Sequence, residues 1–138
     1  MRPYRVFDHT ADLGIEIFGE TAGMLFAHAA FAVFDLMADL HLVHPKETRS
    51  ISVEGEDRED LLVNYLREVL YLFHGEKLIL KHFAIVEIND HHLKGEVGGE
   101  FFDPDRHRLK KEIKAVTYHG VEVRETGSGW RGRVIFDV

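Results

Sequence analysis

Hydrophobic and polar positions along the chain change period several times, and each change marks an element. Tyr4 to Asp8 alternates as a strand that sets Tyr4, Val6 and Asp8 on one face and Arg5, Phe7 and His9 on the other. Gly14 then permits a sharp redirection of the chain, and Ile15 to Gly19 alternates as a second strand expected to pair with the first. From Met24 to Leu40 the period becomes helical, with Thr21 as a cap and only His28, Asp35 and Asp39 forming a polar stripe. So apolar a helix must be covered over most of its circumference, which places it in the centre of a domain against a sheet and leaves His28 at the surface.

Pro45 to Ser50 is a polar connection, followed by a third strand at Ile51 to Gly55. Asp57 and Asp60 open a second helix, in which Leu62, Tyr65, Leu66, Val69, Leu70 and Phe73 keep helical spacing until Gly75. His74 suits the negative end of that helix dipole. Leu78 to Ile88 and Leu93 to Val97 form a hairpin across Asn89-Asp90-His91-His92. The adjacent histidines would point to opposite faces of a strand, so they read as exposed turn residues rather than a metal site. Strands at Glu112 to Tyr118, Gly120 to Arg124 and Trp130 to Val138 close the chain. The pattern predicts an α+β fold: one domain spanning 1–138, with mainly antiparallel β-sheet packed against two principal helices.

Composition narrows the chemistry. The 138 residues are 45% hydrophobic, enough for a core without crosslinks, and the absence of cysteine removes disulfides and thiolate chemistry. That suits a reducing cytoplasm. No secretion signal is visible at the N-terminus, and no apolar run reaches the roughly 20 clean residues that span a bilayer. A formal net charge of −7 disfavours broad contact with phosphate backbones. Arg106, His107, Arg108, Lys110, Lys111 and Lys114 make the one basic patch legible in the chain, suited to an acidic partner surface, a nucleotide or plain solvation.

Two stretches hold the candidate chemistry. Asp8-His9-Thr10-Ala11-Asp12-Leu13-Gly14 crowds two carboxylates and an imidazole at a strand end, and reads either as an Asx-rich turn or as a reactive site. In the last strand Trp130, Val134, Phe136 and Val138 share one face, while Arg131, Arg133, Ile135 and Asp137 share the other. Asp137 and the Val138 terminus thus offer hard oxygens which, joined by Asp12, suit calcium or magnesium, with His9 orienting a ligand from behind. Lys114, on a strand face with Val116 and Tyr118, is either a reactive lysine or a surface lysine with its stem lying down. The familiar nucleophile elbow, zincin helix and phosphate loop are absent.

Taken together, Asp8-His9-Thr10-Ala11-Asp12-Leu13-Gly14, Lys111-Glu112-Ile113-Lys114-Ala115-Val116-Thr117-Tyr118-His119 and Val134-Ile135-Phe136-Asp137-Val138 resemble the archease family across essentially the whole chain. The resemblance implies a cytoplasmic accessory protein, not itself an enzyme, that activates the RtcB-type RNA ligase of tRNA splicing. Such proteins promote guanylylation of the ligase, help it turn over and broaden its nucleotide use. The resemblance also implies a divalent metal, calcium ahead of magnesium, on Asp12, Asp137 and the terminal Val138, and a functionally required lysine at Lys114. Transient contact with the ligase's nucleotide or tRNA is a further expectation. A free-standing metal-dependent hydrolase or nuclease, and a chaperone-like binding module with a structural metal, are the alternatives.

Overall fold

Leu13, Ile15 and Ile17 on one strand face and Val134 and Phe136 on another are all buried, which fixes the inner side of the larger of two sheets. The computed structural model describes residues 2–9 and 12–138, with Asp8 and His9 described in their backbone alone. In the larger sheet β1 (Tyr4–His9), β2 (Asp12–Gly19), β8 (Gly129–Asp137) and β6 (Ala115–Val116) lie in that order, and β7 (Glu122–Thr126) shares the β8 edge with β6. The smaller sheet has the order β3 (Glu47–Glu54), β5 (His92–Phe101), β4 (Leu78–Ile88). Every pairing is antiparallel, and the predicted β1–β2 and β4–β5 hairpins both form.

Helix α1 (Ala22–Met37) packs against β2 of one sheet and β4 of the other, and α2 (Arg58–Glu76) packs beside it. Ala29, Ala30 and Ala32 let the sheets approach α1 closely, while Phe34 fills the remaining space against Phe73 and Phe83. The result is a single α+β domain whose two helices share one core with both sheets. Thr21 caps α1 by accepting from Met24 N–H at 3.1 Å, and Asp57 caps α2 by accepting from Asp60 N–H at 2.8 Å.

Several boundaries differ from expectation, each for a local reason. Helix α1 ends at Met37 rather than Leu40, because Asp39 instead caps a short 3-10 turn (Leu40–Leu42) through His41 N–H. Helix α2 runs through Gly75 and is stopped by Lys77 in the left-handed region at φ 62°. Strand β3 starts at Glu47, inside the stretch that reads as a polar connection, since its outward face is open to water. Gly14 makes no redirection: it lies within β2, and its missing Cβ leaves room for the Phe7 ring, whose Cζ would stand 2.3 Å from that atom. Strand β5 continues past Val97 to Phe101 because Gly99 lets the backbones meet, a Cβ there falling 2.0 Å from Ile79 O.

The strand expected over Glu112 to Tyr118 shrinks to Ala115–Val116. Upstream of it, Lys110 and Lys111 donate their N–H groups to Met37 O and Leu36 O. The basic segment is therefore occupied in closing the C-terminal end of α1, where carbonyls lack helical partners and positive charge is favoured.

Candidate functional site

The two sequence ends that carry the acids meet in one row across the larger sheet. His9 stands opposite Asp12 in the β1–β2 register, and Leu13 stands opposite Phe136 in the β2–β8 register. Asp12 and Asp137 are the next residues outward from that second pair, at the facing ends of β2 and β8. On the far edge Ala115 pairs with Asp137, and Lys114 donates its backbone N–H to Asp137 O at 2.8 Å. Asp12, Asp137 and Lys114 are thereby drawn together from positions 12, 137 and 114. Val138 follows directly, its side chain packed against the core.

Alternation explains why the row faces outward. Leu13 and Phe136 are buried on the inner side, so their neighbours Asp12 and Asp137 belong to the outer face, where Asp137 is exposed and Asp12 half-buried. Side-chain roles expected of Asp8 and His9, and the Asx-turn reading that involves Thr10 and Ala11, lie outside the described residues. Among the described residues no group of three His, Asp or Glu side chains is close enough to hold a metal ion. A cation at the row would rest on two carboxylates and main-chain oxygen such as that of Val138, a donor set that fits a hard ion.

Lys114 is exposed but not on a strand face with Val116 and Tyr118, as its pattern implies. Val116 turns into the core, and Tyr118 lies beyond the strand, donating to Asp60 Oδ1 at 2.7 Å beneath the Arg67 guanidinium. Behind Lys114, the Nε2 of His74 lies 2.9 Å from Ile113 O, so the residue read as a dipole partner holds the segment that carries the lysine. His28, expected at the surface, is half-buried with Nδ1 2.6 Å from Phe18 O. His91 is an exposed turn residue, whereas His92 opens β5 and reaches Ser52 Oγ at 3.3 Å.

Two ionic clusters escape a linear reading of the chain. On the outer face of the larger sheet Glu16 is buried between Arg5 and Arg131, one on each neighbouring strand, and Arg5 first of all holds its carboxyl below the usual range. On the smaller sheet Glu100 is buried and receives His44 N–H, Arg106 and His107. The His44 N–H leads these partners in lowering the Glu100 carboxyl to about 2 against the opposing effect of burial. The patch at 106–114 is consequently not the one concentration of positive charge; pairing across strands assembles another from Arg5, Arg124, Arg131 and Arg133.

The fold and row define a small two-sheet α+β protein with an acidic strand end and an adjoining lysine. A family model described as the archease protein family matches residues 4–138. The archease of Pyrococcus furiosus is 37% identical over 100% of both chains, and that of Methanosarcina mazei 34% identical over 99% of this chain and 97% of its own. The solution structure of protein 1598 from Methanobacterium thermoautotrophicum superposes with a TM-score of 0.85 at 35% identity, covering 100% of each chain. This chain belongs to the archease family. No helix among the described residues is long and apolar enough to cross a membrane.

Proposed function

We propose that this protein is a cytoplasmic, metal-binding accessory protein that activates an RtcB-type RNA ligase in tRNA splicing. It promotes guanylylation and multiple turnover of the ligase and broadens the nucleotides the ligase uses. The observation that supports this reading best is the row in which Asp12 and Asp137 come together while the Lys114 backbone is bonded to Asp137 O. In this reading Asp12, Asp137 and the main-chain oxygen of Val138 hold one divalent cation, calcium or magnesium, and His9 orients a ligand. Such a cation neutralises phosphate charge when bound.

The residues around it have separate tasks. Lys114 supplies a compact positive charge toward phosphate during guanylylation of the partner, which provides the nucleophile. The Asp137 carbonyl fixes the backbone of Lys114, and His74 fixes the residue before it. Purified protein without ligase then gives no nuclease or nucleotidase turnover, since it has no nucleophile of its own to offer.

The test measures ligase guanylylation and multiple-turnover ligation with folded Lys114→Ala and Lys114→Arg. Alanine should abolish most stimulation. Arginine should rescue only part, because its planar fork presents donors differently from an ammonium group. Full stimulation by folded Lys114→Ala would remove the lysine from the mechanism.

A further inference from the structure

Arg133 stands opposite Glu16 on one side and Glu122 on the other, yet makes no ion pair with either among the described residues. Glu16 accepts from Arg5 on Oε1 and from Arg131 on Oε2, so each of its oxygens already holds a guanidinium. The Arg133 guanidinium instead lies 4.4 Å over the ring of Phe7, two strands away, and its Nε is buried without a partner. Arg131 also has an unpartnered Nε, but its Nη2 is bonded to Glu16. A guanidinium kept from water at one nitrogen and from carboxylates at the rest is costly to leave unmatched.

Its position supplies the missing match. Phe7 pairs with Gly14 and Gly14 with Ile135, which makes a row one step inward from His9, Asp12 and Asp137 on the same face. Rows two residues apart on a strand are separated by about 7 Å. Phe7 lies over Gly14, and the Arg133 charge over Phe7, so the guanidinium is delivered from its own row toward the acids. The acid row is thus flanked by two cations, Arg133 inward and Lys114 at the β6 edge.

We propose that Arg133, held on Phe7, is a phosphate-binding residue for a nucleotide's polyphosphate that docks across the acid row with its divalent counter-ion. The proposal rests on the metal-binding reading of Asp12 and Asp137. A planar fork takes two phosphate oxygens at once, and a chain of phosphates is long enough to touch the row and the guanidinium together. A partner's carboxylate fits less well, because it carries no divalent ion and meets Asp12 and Asp137 as like charges.

Calorimetric titration of the isolated protein distinguishes the outcomes, using a divalent cation alone, inorganic triphosphate with that cation, and a short 5′-hydroxyl RNA. Arg133→Gln should weaken triphosphate binding roughly tenfold or more while leaving the cation-alone affinity within about twofold. Arg133→Lys should restore part of it. Phe7→Leu keeps the charge but removes the ring that aims it, and should give an intermediate loss even if Arg133→Gln folds poorly. Equal triphosphate affinity in folded wild-type protein and Arg133→Gln overturns the proposal, as does Arg133-dependent binding of the RNA that is tighter than that of triphosphate. Wild-type protein that binds no divalent cation alone overturns the metal reading instead, so the two failures are distinguishable.

Discussion

The acid row of the larger sheet and the Glu100 cluster of the smaller one contain similar groups arranged to opposite ends. Glu100 is 6% exposed, and its two oxygens face His44 N–H, His107, Arg106 and, at 3.6 Å, Lys46. His107 is itself enclosed, taking Asp103 N–H on Nδ1 at 2.9 Å and presenting Nε2 to Glu100 at 2.8 Å. With both ring nitrogens engaged, the imidazole has no capacity left for a ligand. Asp137, by contrast, is exposed at a strand end with a lysine beside it. A carboxylate surrounded by its own protein holds the fold together, whereas one at an open strand end offers oxygen to something else. Variants of the two regions should therefore separate into loss of binding and loss of stability.

The largest effect is expected at the row. Asp12→Ala combined with Asp137→Ala should lower divalent-cation affinity 100-fold or more, roughly, because an oxygen-donor site cannot survive loss of both carboxylates. Asp137→Ala alone should change thermal stability little, since this exposed strand-end position carries no core packing. Unchanged affinity in calorimetry would end the metal assignment, and a large drop in melting temperature would erase the contrast with Glu100.

At Glu100 the prediction reverses. Glu100→Ala strands His107, Arg106 and the His44 N–H, and should cost about 3 kcal/mol, the range found when one partner of a buried pair is removed. Chemical denaturation measures it, and stimulation of the ligase by the fraction that stays folded should be intact. The acid limb gives an independent check. A carboxyl lowered from 4.5 to about 2 contributes stability that is complete above 4.5 and is lost as pH falls through that interval toward 2. Glu100→Gln should therefore flatten the decline of stability between those pH values.

The difference between the regions was only partly legible in the sequence. Short-range periodicity located Thr21, Asp57 and the alternation in β2 and β8, because helix caps and strand faces depend on near neighbours. Asp12, Asp137 and Lys114 could be singled out as chemistry, but their meeting in one row depends on pairing between chain ends, which spacing cannot encode. The same limit hid the arginine face: Arg5, Glu16 and Arg131 become partners only when β1, β2 and β8 lie side by side. Polar Glu47 to Ser50 reads as a loop for a related reason, since an outward strand face looks like solvent-exposed chain. Gly14 misleads in the other direction, its small size serving Phe7 rather than a turn.

The smallest effect is expected in the basic segment, and it sharpens the contrast by showing charge that does neither job strongly. Lys110 and Lys111 bond the end of α1 through backbone N–H groups, which any residue except proline retains. Replacing both side chains with glutamine removes only their attraction to the helix's negative end, about 0.3–1 kcal/mol at low ionic strength. At 0.15 M salt, where the Debye length is about 8 Å, most of that difference should vanish. Stimulation of the ligase by Lys110→Gln/Lys111→Gln should likewise fall less than with Lys114→Ala, and less at 0.15 M salt than in dilute buffer. Lys110→Pro provides the internal control: it deletes the 2.7 Å bond to Met37 O, so its loss of stability should exceed that of the double glutamine variant and persist in salt. Denaturant titrations of the two variants at low and physiological ionic strength decide the matter. A salt-independent loss in the glutamine variant would mean that the lysine side chains hold α1 by packing, and equal losses in both variants would mean that the backbone bonds contribute nothing.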